Sequence, residues 1–446
     1  MSATRCRYLF TLCLPTACVA LFSCAPTVAQ AQGLSRFDRS RIETMLEDVR
    51  DEITDHYYDS TFKGLDLRAA YDTAHARIRA AATLDVGLAA VAQFALDLHD
   101  SHTFFVPPQR TLEAEYGWDM AMVGDSCFVV DVAPGSDAAR QGLIPGDLVL
   151  SLNGYTPTRD NLWQLLYLYR LLRPQPSLQT VVRSPGAAPR QLELKATVHE
   201  RKRFMDLTGT DGGSDIVSLI RDGEKAYEEL QPVVKEYGED ILIWKLPTFA
   251  VSEREIRDVL NRARRRKALV LDLRSNSGGP VQSLLALVGR LGRDSVILGM
   301  QRERDKQSRL IAKGAGDEAF SGELLVLVDS RSASASEVLA RVVQLTRRGR
   351  VLGDRTAGAV MRASYFQFMH GTQIAIFYGV SVTNADLVMS DGGRLERVGV
   401  LPDELILPTA SDLASGNDPV LARAVTLAGT PLGAAEAGSL LRRKRR

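Results

Sequence analysis

The spacing of hydrophobic residues changes twice along the chain. Between residues 36 and 98, apolar residues recur every three or four positions, which predicts helices. Between about 112 and 198, short apolar runs are bounded by turn residues, which predicts strands. From residue 240 onward, buried-type strands alternate with helices, which predicts an α/β domain with a largely parallel sheet.

We therefore expect a helical domain, a β-rich domain and an α/β domain. The glycine- and aspartate-rich residues 208–213 predict a linker between the last two. A C-terminal helix is predicted to end in a solvated basic tail. The predicted boundaries, with a targeting segment first, are residues 1–31, 33–108, 112–198, 214–408 and 409–446.

The charge balance narrows the classes of function. The 446 residues carry a formal net charge of +1, and 45% of them are hydrophobic, as in an ordinary globular protein. A nucleic-acid binder needs a basic excess to neutralise phosphates, and the chain has none outside its last residues. We expect no nucleic-acid partner.

The first 31 residues predict export. Arg5 and Arg7 precede an apolar stretch at residues 8–22, and the letters AQA at residues 29–31 fit a signal-peptidase site. A second interpretation stays open, because LFSC at residues 21–24 resembles a lipoprotein cleavage site that would leave a lipidated Cys24. We expect a protein of the periplasm or cell envelope, attached to a membrane only if Cys24 is lipidated.

Four of the five cysteines lie in this leader, so the remaining chain has only Cys127 and forms no internal disulfide. Cys127 lies in a strand-like run and is predicted to be a buried apolar residue. No cluster of cysteine and histidine has the spacing of a metal site, so we expect neither a metal nor an organic cofactor.

Two motifs follow predicted buried strands. The letters SASASE at residues 332–337 lie between a strand and a helix, where free N–H groups can stabilise an anion. Taken alone, these serines could equally cap the helix. The letters DLRSNSGG at residues 272–279 end in paired glycines, which favour a close backbone approach. Because the lysine and spacing of a phosphate-binding loop are missing, an oxyanion-hole donor suits this loop better.

Together the two motifs resemble the tail-specific, or C-terminal processing, serine peptidase family. The letters DRTAG at residues 354–358 and VGVLPD at residues 398–403 extend the resemblance over most of the chain. It implies an α/β peptidase domain of the ClpP/crotonase-like fold, with Ser334 as nucleophile. It also implies that the N–H groups of Gly279 and Ala335 form the oxyanion hole.

The β-rich region resembles a second known unit. The letters GLIPGD at residues 142–147, two short strands and Asn153-Gly154 are similar to a bacterial PDZ domain. The resemblance implies an inserted domain that binds peptides by adding a strand to a sheet edge. A generic β-rich insert is the alternative.

The sequence departs from the processing branch at one position. That branch uses a Ser–Lys dyad, but its lysine position is Ala359 here, and residues 317–443 contain no lysine. The tricorn-type branch of the family resembles this chain at DSHT, residues 100–103, and at Glu396. This resemblance implies His102 as the base, whose unperturbed pKa is about 6.5, with Ser101 and Glu396 orienting it. Alternatives left open are His370 as base and Glu404 in place of Glu396.

The sequence thus predicts an exported serine endopeptidase that cleaves unfolded or C-terminally exposed polypeptides through an acyl-enzyme on Ser334. The missing lysine keeps a second hypothesis open, namely an inactive envelope adaptor that binds peptides through its PDZ domain. A third, an acyl-CoA enzyme of crotonase type, would leave the serine and the PDZ domain without a role.

Overall fold

The computed structural model describes four stretches of the chain, residues 34–108, 112–200, 230–370 and 376–441. The predicted leader with Cys24, the predicted linker at 208–213 and the basic tail at 442–446 lie outside the described residues. The division into domains at the predicted boundaries stays a prediction.

A six-stranded sheet forms the centre of the α/β region. Its order is β18-β15-β14-β11-β10-β9, and all neighbours are parallel except β9, which is antiparallel to β10. Every residue of β11 is buried, as expected for a strand covered on both faces. The strands are β9 (Val233–Tyr237), β10 (Ile241–Lys245), β11 (Ala268–Asp272), β14 (Glu323–Val328), β15 (Arg350–Gly353) and β18 (Glu404–Leu405).

Helices cover both faces of this sheet, which confirms the predicted α/β class. One face packs Trp244 and Leu271 against three helices, α6 (Glu253–Ala263), α7 (Val281–Leu291) and α8 (Ala335–Leu345). The other face packs Ile243 and Val270 against α10 (Pro419–Leu427) and α11 (Ala434–Leu440). With α9 (Ala410–Ser415), the C-terminal region holds three short helices where one was predicted.

A second sheet is antiparallel and lies under the N-terminal helices. Its order is β1-β17-β12-β13, with β16 paired to β17. The predicted helical region contributes helices α1 (Arg36–His56), α2 (Leu67–Ala80) and α3 (Leu84–Leu96), which share one core with β17. The same region also contributes a strand that the sequence did not predict, because β1 pairs with β17 far along the chain. The strands are β1 (Phe104–Val106), β12 (Val296–Arg302), β13 (Gln307–Ala312), β16 (Met361–His370) and β17 (Ile376–Met389).

The β-rich region has its own core and a five-stranded antiparallel sheet of order β3-β4-β5-β6-β7. Helix α4 (Asp137–Arg140) and helix α5 (Leu162–Leu166), which continues as a π-helix over Tyr167–Leu172, flank it. Strands β2 and β8 form a separate ladder at its base. The strands are β2 (Leu112–Glu115), β3 (Trp118–Val123), β4 (Ser126–Val132), β5 (Leu148–Leu152), β6 (Ser177–Arg183), β7 (Arg190–Lys195) and β8 (Thr197–Glu200). None of the helices in the four described stretches is long and apolar enough to cross a membrane.

Candidate active site

The two sequence motifs meet at one edge of the central sheet. Strands β11 and β14 are parallel neighbours, with Asp272 opposite Leu327. Because parallel strands end at the same edge, the loop after β11 and the loop after β14 emerge side by side. The glycine loop at 272–279 and the serine loop at 329–334 therefore share this edge.

Of the three serines in the second motif, the structure separates one from the others. Ser332 and Ser336 are fully buried, and their hydroxyls donate to the backbone carbonyls of Leu273 and Asn276 at 2.9 and 3.0 Å. These two serines therefore hold the serine loop against the glycine loop. Ser334 is only half-buried and begins helix α8.

The backbone at Ser334 is strained, with φ 56° and ψ −116°. A serine in this region costs free energy and persists only where its surroundings hold it. Two contacts hold it, because the Ser334 N–H faces the carbonyl of Ala359 at 2.9 Å and the carboxylate of Glu337 at 3.1 Å. A sharp turn from strand to helix is also the geometry that exposes the nucleophilic serine of α/β-hydrolases.

The first of the paired glycines, Gly278, is required by this serine. At Gly278, with φ +103°, an added Cβ would lie 2.7 Å from the Cβ of Ser334, so only glycine fits. The Gly278 N–H donates to the side chain of Asn276 at 2.7 Å. Among the residues that the structure describes, the next amide along, that of Gly279, has no acceptor, and neither has that of Ala335. These two N–H groups flank the serine from both loops.

Glu337, in the first turn of helix α8, is fully buried. Its carboxylate accepts from the N–H groups of Ser334, Gly358 and Ala359 at 2.7–3.1 Å and from the hydroxyl of Thr356. Burial raises the pKa of this carboxyl to about 7, although these donors favour its charged form. Glu337 thereby fixes the segment that carries Ala359 against the start of helix α8.

A chain of hydrogen bonds joins the residues that the tricorn-type resemblance implied. The His102 Nδ1 lies 2.7 Å from the Ser101 hydroxyl, which donates to Glu396 at 2.9 Å. Glu396 also accepts from the Ser101 N–H at 2.9 Å and from the Val360 N–H at 2.8 Å. The sequence separation of 295 residues between Ser101 and Glu396 is closed entirely by the fold.

These hydrogen bonds determine which ring nitrogen of His102 carries the proton. The single hydroxyl proton of Ser101 is donated to Glu396, so the hydroxyl can only accept from His102. Nδ1 must therefore carry a proton in the neutral ring, which leaves Nε2 as the basic nitrogen. Burial lowers the pKa of His102 below its ordinary 6.5, while the charges of Glu396 and Asp100 oppose part of that effect.

Asp100 builds the turn that presents the histidine. Its buried carboxylate accepts from the N–H groups of His102 and Thr103 at 2.9 and 2.7 Å, and from the hydroxyl of Tyr57 at 2.8 Å. The Thr383 hydroxyl on β17 donates to it at 2.7 Å. Sequence reasoning missed Asp100, although its place directly before the Ser-His pair marks it as a candidate capping residue.

A single peptide unit connects Ser334 to the hydrogen bonds that join His102, Ser101 and Glu396. The Ala359 carbonyl accepts from Ser334, and the Val360 N–H of the same peptide donates to Glu396. Summed over bond lengths, the Ser334 nitrogen and the Glu396 oxygen are therefore no more than about 8 Å apart. Among the hydrogen bonds of the described residues, none joins the Ser334 hydroxyl to the His102 ring.

The two alternatives from the sequence, His370 as base and Glu404 in place of Glu396, lie away from these hydrogen bonds. His370 is at the far end of β16 from Met361, which follows Val360, and at 3.3 Å per residue that distance is about 30 Å. It contacts Asp48 at 3.0 Å. Glu404 pairs with Arg350 and Arg423 at the sheet edge. Burial raises the pKa of the Cys127 thiol to about 12, so it stays protonated at neutral pH.

Comparison with known proteins relates this geometry to a family. Residues 240–406 match the model of peptidase family S41. A tail-specific protease of Haemophilus influenzae is 24% identical over 323 residues, which are 68% of this chain and 43% of that protein. Carboxyl-terminal-processing peptidase 2, chloroplastic, of Arabidopsis thaliana is 26% identical over 370 residues, which are 78% of this chain and 65% of that protein. The chain thus spans less than two thirds of the length of either relative.

Among solved structures, mature CPAF has a similar fold. It aligns with a TM-score of 0.63 at 17% identity and covers 85% of this chain and 94% of that one. At this identity the likeness concerns the fold alone. The family match spans the two motif loops and every strand of the central sheet except β9. By this match residues 240–406 are a peptidase family S41 domain, and the two relatives named above are a tail-specific and a carboxyl-terminal-processing protease.

Proposed function

We propose that this protein is an exported serine endopeptidase that cleaves unfolded or C-terminally exposed polypeptides. The observation that carries the proposal is the hydrogen-bond chain from His102 through Ser101 to Glu396, on the same peptide segment that holds the Ser334 backbone. A base ordered in this way replaces the lysine that is absent at position 359. Export rests on the leader sequence at residues 1–31.

The chemistry follows the roles of a serine triad. The His102 Nε2 removes the proton of the Ser334 hydroxyl as its oxygen attacks the peptide carbonyl. The N–H groups of Gly279 and Ala335 stabilise the oxyanion of the tetrahedral intermediate. His102 then protonates the leaving amine, and water hydrolyses the acyl-enzyme. The contact between Ser334 and His102 closes when substrate binds, as catalytic hydrogen bonds often do.

Glu396 and Ser101 stabilise the imidazolium that forms in this step. We call the hydrogen bonds from His102 through Ser101 to Glu396 the relay. In the relay, Nδ1 donates to the Ser101 hydroxyl and that hydroxyl donates to Glu396. A charged partner favours the protonated ring at the moment when it holds the serine proton. The relay thus serves the transition state more than the resting enzyme.

The β-rich region, residues 112–198, serves in this proposal as a PDZ domain. Its edge strand β3 and helix α5 flank an apolar groove, the arrangement in which an added peptide strand pairs with a sheet edge. Substrate reaches the serine as an extended strand. Two readouts, cleavage and peptide binding, therefore distinguish a peptidase from an inactive adaptor.

The test compares the wild type with Ser334→Ala and His102→Ala, using an unfolded fluorescent casein and a fluorophosphonate probe. We expect the wild type to cleave casein and to be labelled at Ser334, and both variants to lose cleavage. His75→Ala, which replaces a half-buried histidine on α2, serves as the control and should cleave normally. Equal cleavage by the wild type and Ser334→Ala would refute the proposal. Absence of labelling together with tight peptide binding would favour the adaptor.

A further inference from the structure

The outer edge of strand β3 is the surface of the β-rich region that faces the serine loop at 329–334. β3 is the last strand of its sheet, and its other edge pairs with β4. Gly117 bonds toward β4, because its carbonyl accepts from Ala133 at 2.8 Å. Since backbone groups alternate along a strand, the carbonyls of Trp118, Met120 and Met122 point away from the sheet. These three carbonyls define the outer edge.

Each carbonyl of the outer edge is engaged by a side chain. The Met120 carbonyl accepts from the Arg331 guanidinium at 2.6 Å, and the Met122 carbonyl accepts from the Ser330 hydroxyl at 2.6 Å. The Trp118 carbonyl is met more weakly by Arg170, at 3.4 Å. An added peptide strand would bond to the same carbonyls, so it would have to displace these donors.

The carboxylate of Asp119 fixes the two arginines in place. Arg331 reaches one of its oxygens at 2.6 Å and Arg170 reaches the other at 2.8 Å. Burial raises the pKa of this carboxyl, but the two guanidinium groups lower it by more. The pKa of Asp119 therefore lies below its usual range. Bonds between charged partners are the stronger class of hydrogen bond, so the edge is firmly closed.

The groove beside the outer edge is closed as well. The cavity between β3 and helix α5, lined by residues such as Trp118, Leu165 and Tyr169, has a volume of about 10 Å³. That volume is enough for one water molecule and too small for an apolar side chain. A peptide can seat its terminal residue only after the edge and the helix separate.

Ser330 and Arg331 belong to the loop that ends at the nucleophile. This loop is anchored at Asp329, whose carboxylate accepts from the Ser275 N–H at 2.8 Å and the Arg331 N–H at 3.0 Å. Ser334 follows Arg331 by three residues. The outer edge of β3 thus bonds to the same short loop that positions the serine.

We propose that the serine loop occupies the outer edge of β3, the edge at which the β-rich region would receive a peptide. An extended peptide and the Ser330–Arg331 pair therefore compete for this edge. The partner that fits is an extended polypeptide strand with an apolar end. The inference rests on the proposed function only in taking Ser334 as the nucleophile.

The experiment measures binding without catalysis. A short fluorescein-labelled peptide with an apolar C-terminal residue and a free carboxylate is titrated into full-length protein carrying Ser334→Ala. Adding Arg331→Ala should tighten binding by about tenfold, the equivalent of one hydrogen bond to a charged group. Adding Ser330→Ala, which removes a single neutral bond and one atom, should tighten it by about threefold.

Arg159→Ala is the matched control. Arg159 also joins the two regions, since it bonds to Gly124 at 2.8 Å and to Asp354 at 2.6 Å, but it contacts no carbonyl of the outer edge. The protein with Arg159→Ala added should bind the peptide with the same affinity as the protein that carries Ser334→Ala alone. Hydrogen exchange should show new protection of Trp118–Val123 when the peptide binds to the Arg331→Ala protein.

Three results would overturn the inference. The parent could bind the peptide as tightly as Arg331→Ala, Arg159→Ala could tighten binding equally, or no variant could bind with protection of β3. Failure of the proposed peptidase is a separate observation, because it would show as absent labelling of native Ser334 while the binding series still gave its answer.

Discussion

Replacement of Glu396 by glutamine removes the charge at the end of the proposed relay. The bonds of 2.7 and 2.9 Å through Ser101 place the carboxylate at most about 5.6 Å from the His102 ring. At that distance and an effective dielectric constant near 20, the two charges attract by about 3 kcal/mol. Because both side chains are only half-buried, solvent screens part of this energy. We expect kcat/KM to fall by about 10- to 100-fold.

The same substitution has a signed effect on pH dependence. His102 must be neutral to act as a base, so activity is lost as the pH falls through its pKa. Burial already lowers that pKa below 6.5, and Glu396 raises it. Without Glu396 the pKa falls further, so the acidic limb of the rate profile should move to lower pH while the plateau falls.

The assay is cleavage of fluorescent casein between pH 4 and 9, with thermal unfolding as a check on folding. Glu404→Gln is the matched control, because Glu404 makes only peripheral ion pairs with Arg350 and Arg423. It should leave the plateau and the acidic limb unchanged. An acidic limb that stays in place, or moves to higher pH, in Glu396→Gln would refute the relay.

Three further substitutions test the site and its support. Gly278→Ala, with its Cβ 2.7 Å from Ser334, should lower the free energy of unfolding by about 1–3 kcal/mol and abolish probe labelling; unchanged labelling would contradict the close approach. Arg274→Ala should cost about 3–5 kcal/mol in a denaturant titration, because it leaves the fully buried Asp272 without its nearest cation; a loss below that range would mean that the pair contributes little. His370→Ala should keep full casein cleavage, and a large loss would reopen its candidacy as base.

Local sequence was sufficient for strands β10, β11 and β14 of the central sheet. The strand at Ala268–Asp272 is an unbroken apolar run because both of its faces are covered, and the helix at Val281–Leu291 follows a proline and an apolar period. The helical region was less complete. Strand β1, only three residues long, owes its conformation to β17 and carries little signal of its own.

The candidate nucleophile was also accessible from sequence, and its choice among three serines received a physical reason from the structure. Ser332 and Ser336 are buried and bonded to the glycine loop, whereas Ser334 is left on the strained turn. The roles of Asp100 and Glu337 could not be predicted. Their partners lie on distant segments, and a lone carboxylate in a sequence does not reveal which donors will surround it.

The sequence by itself determined the nature of the two loops, because the residues that make a sharp turn and a close backbone approach are adjacent in the chain. Only the tertiary structure decided what replaces the lysine at position 359. Ser101 and Glu396 are 295 residues apart, and their contact exists because β1 pairs with β17 and the 354–360 segment returns to the sheet edge. Spacing encodes local geometry, whereas a relay assembled from three segments depends on how the whole chain packs.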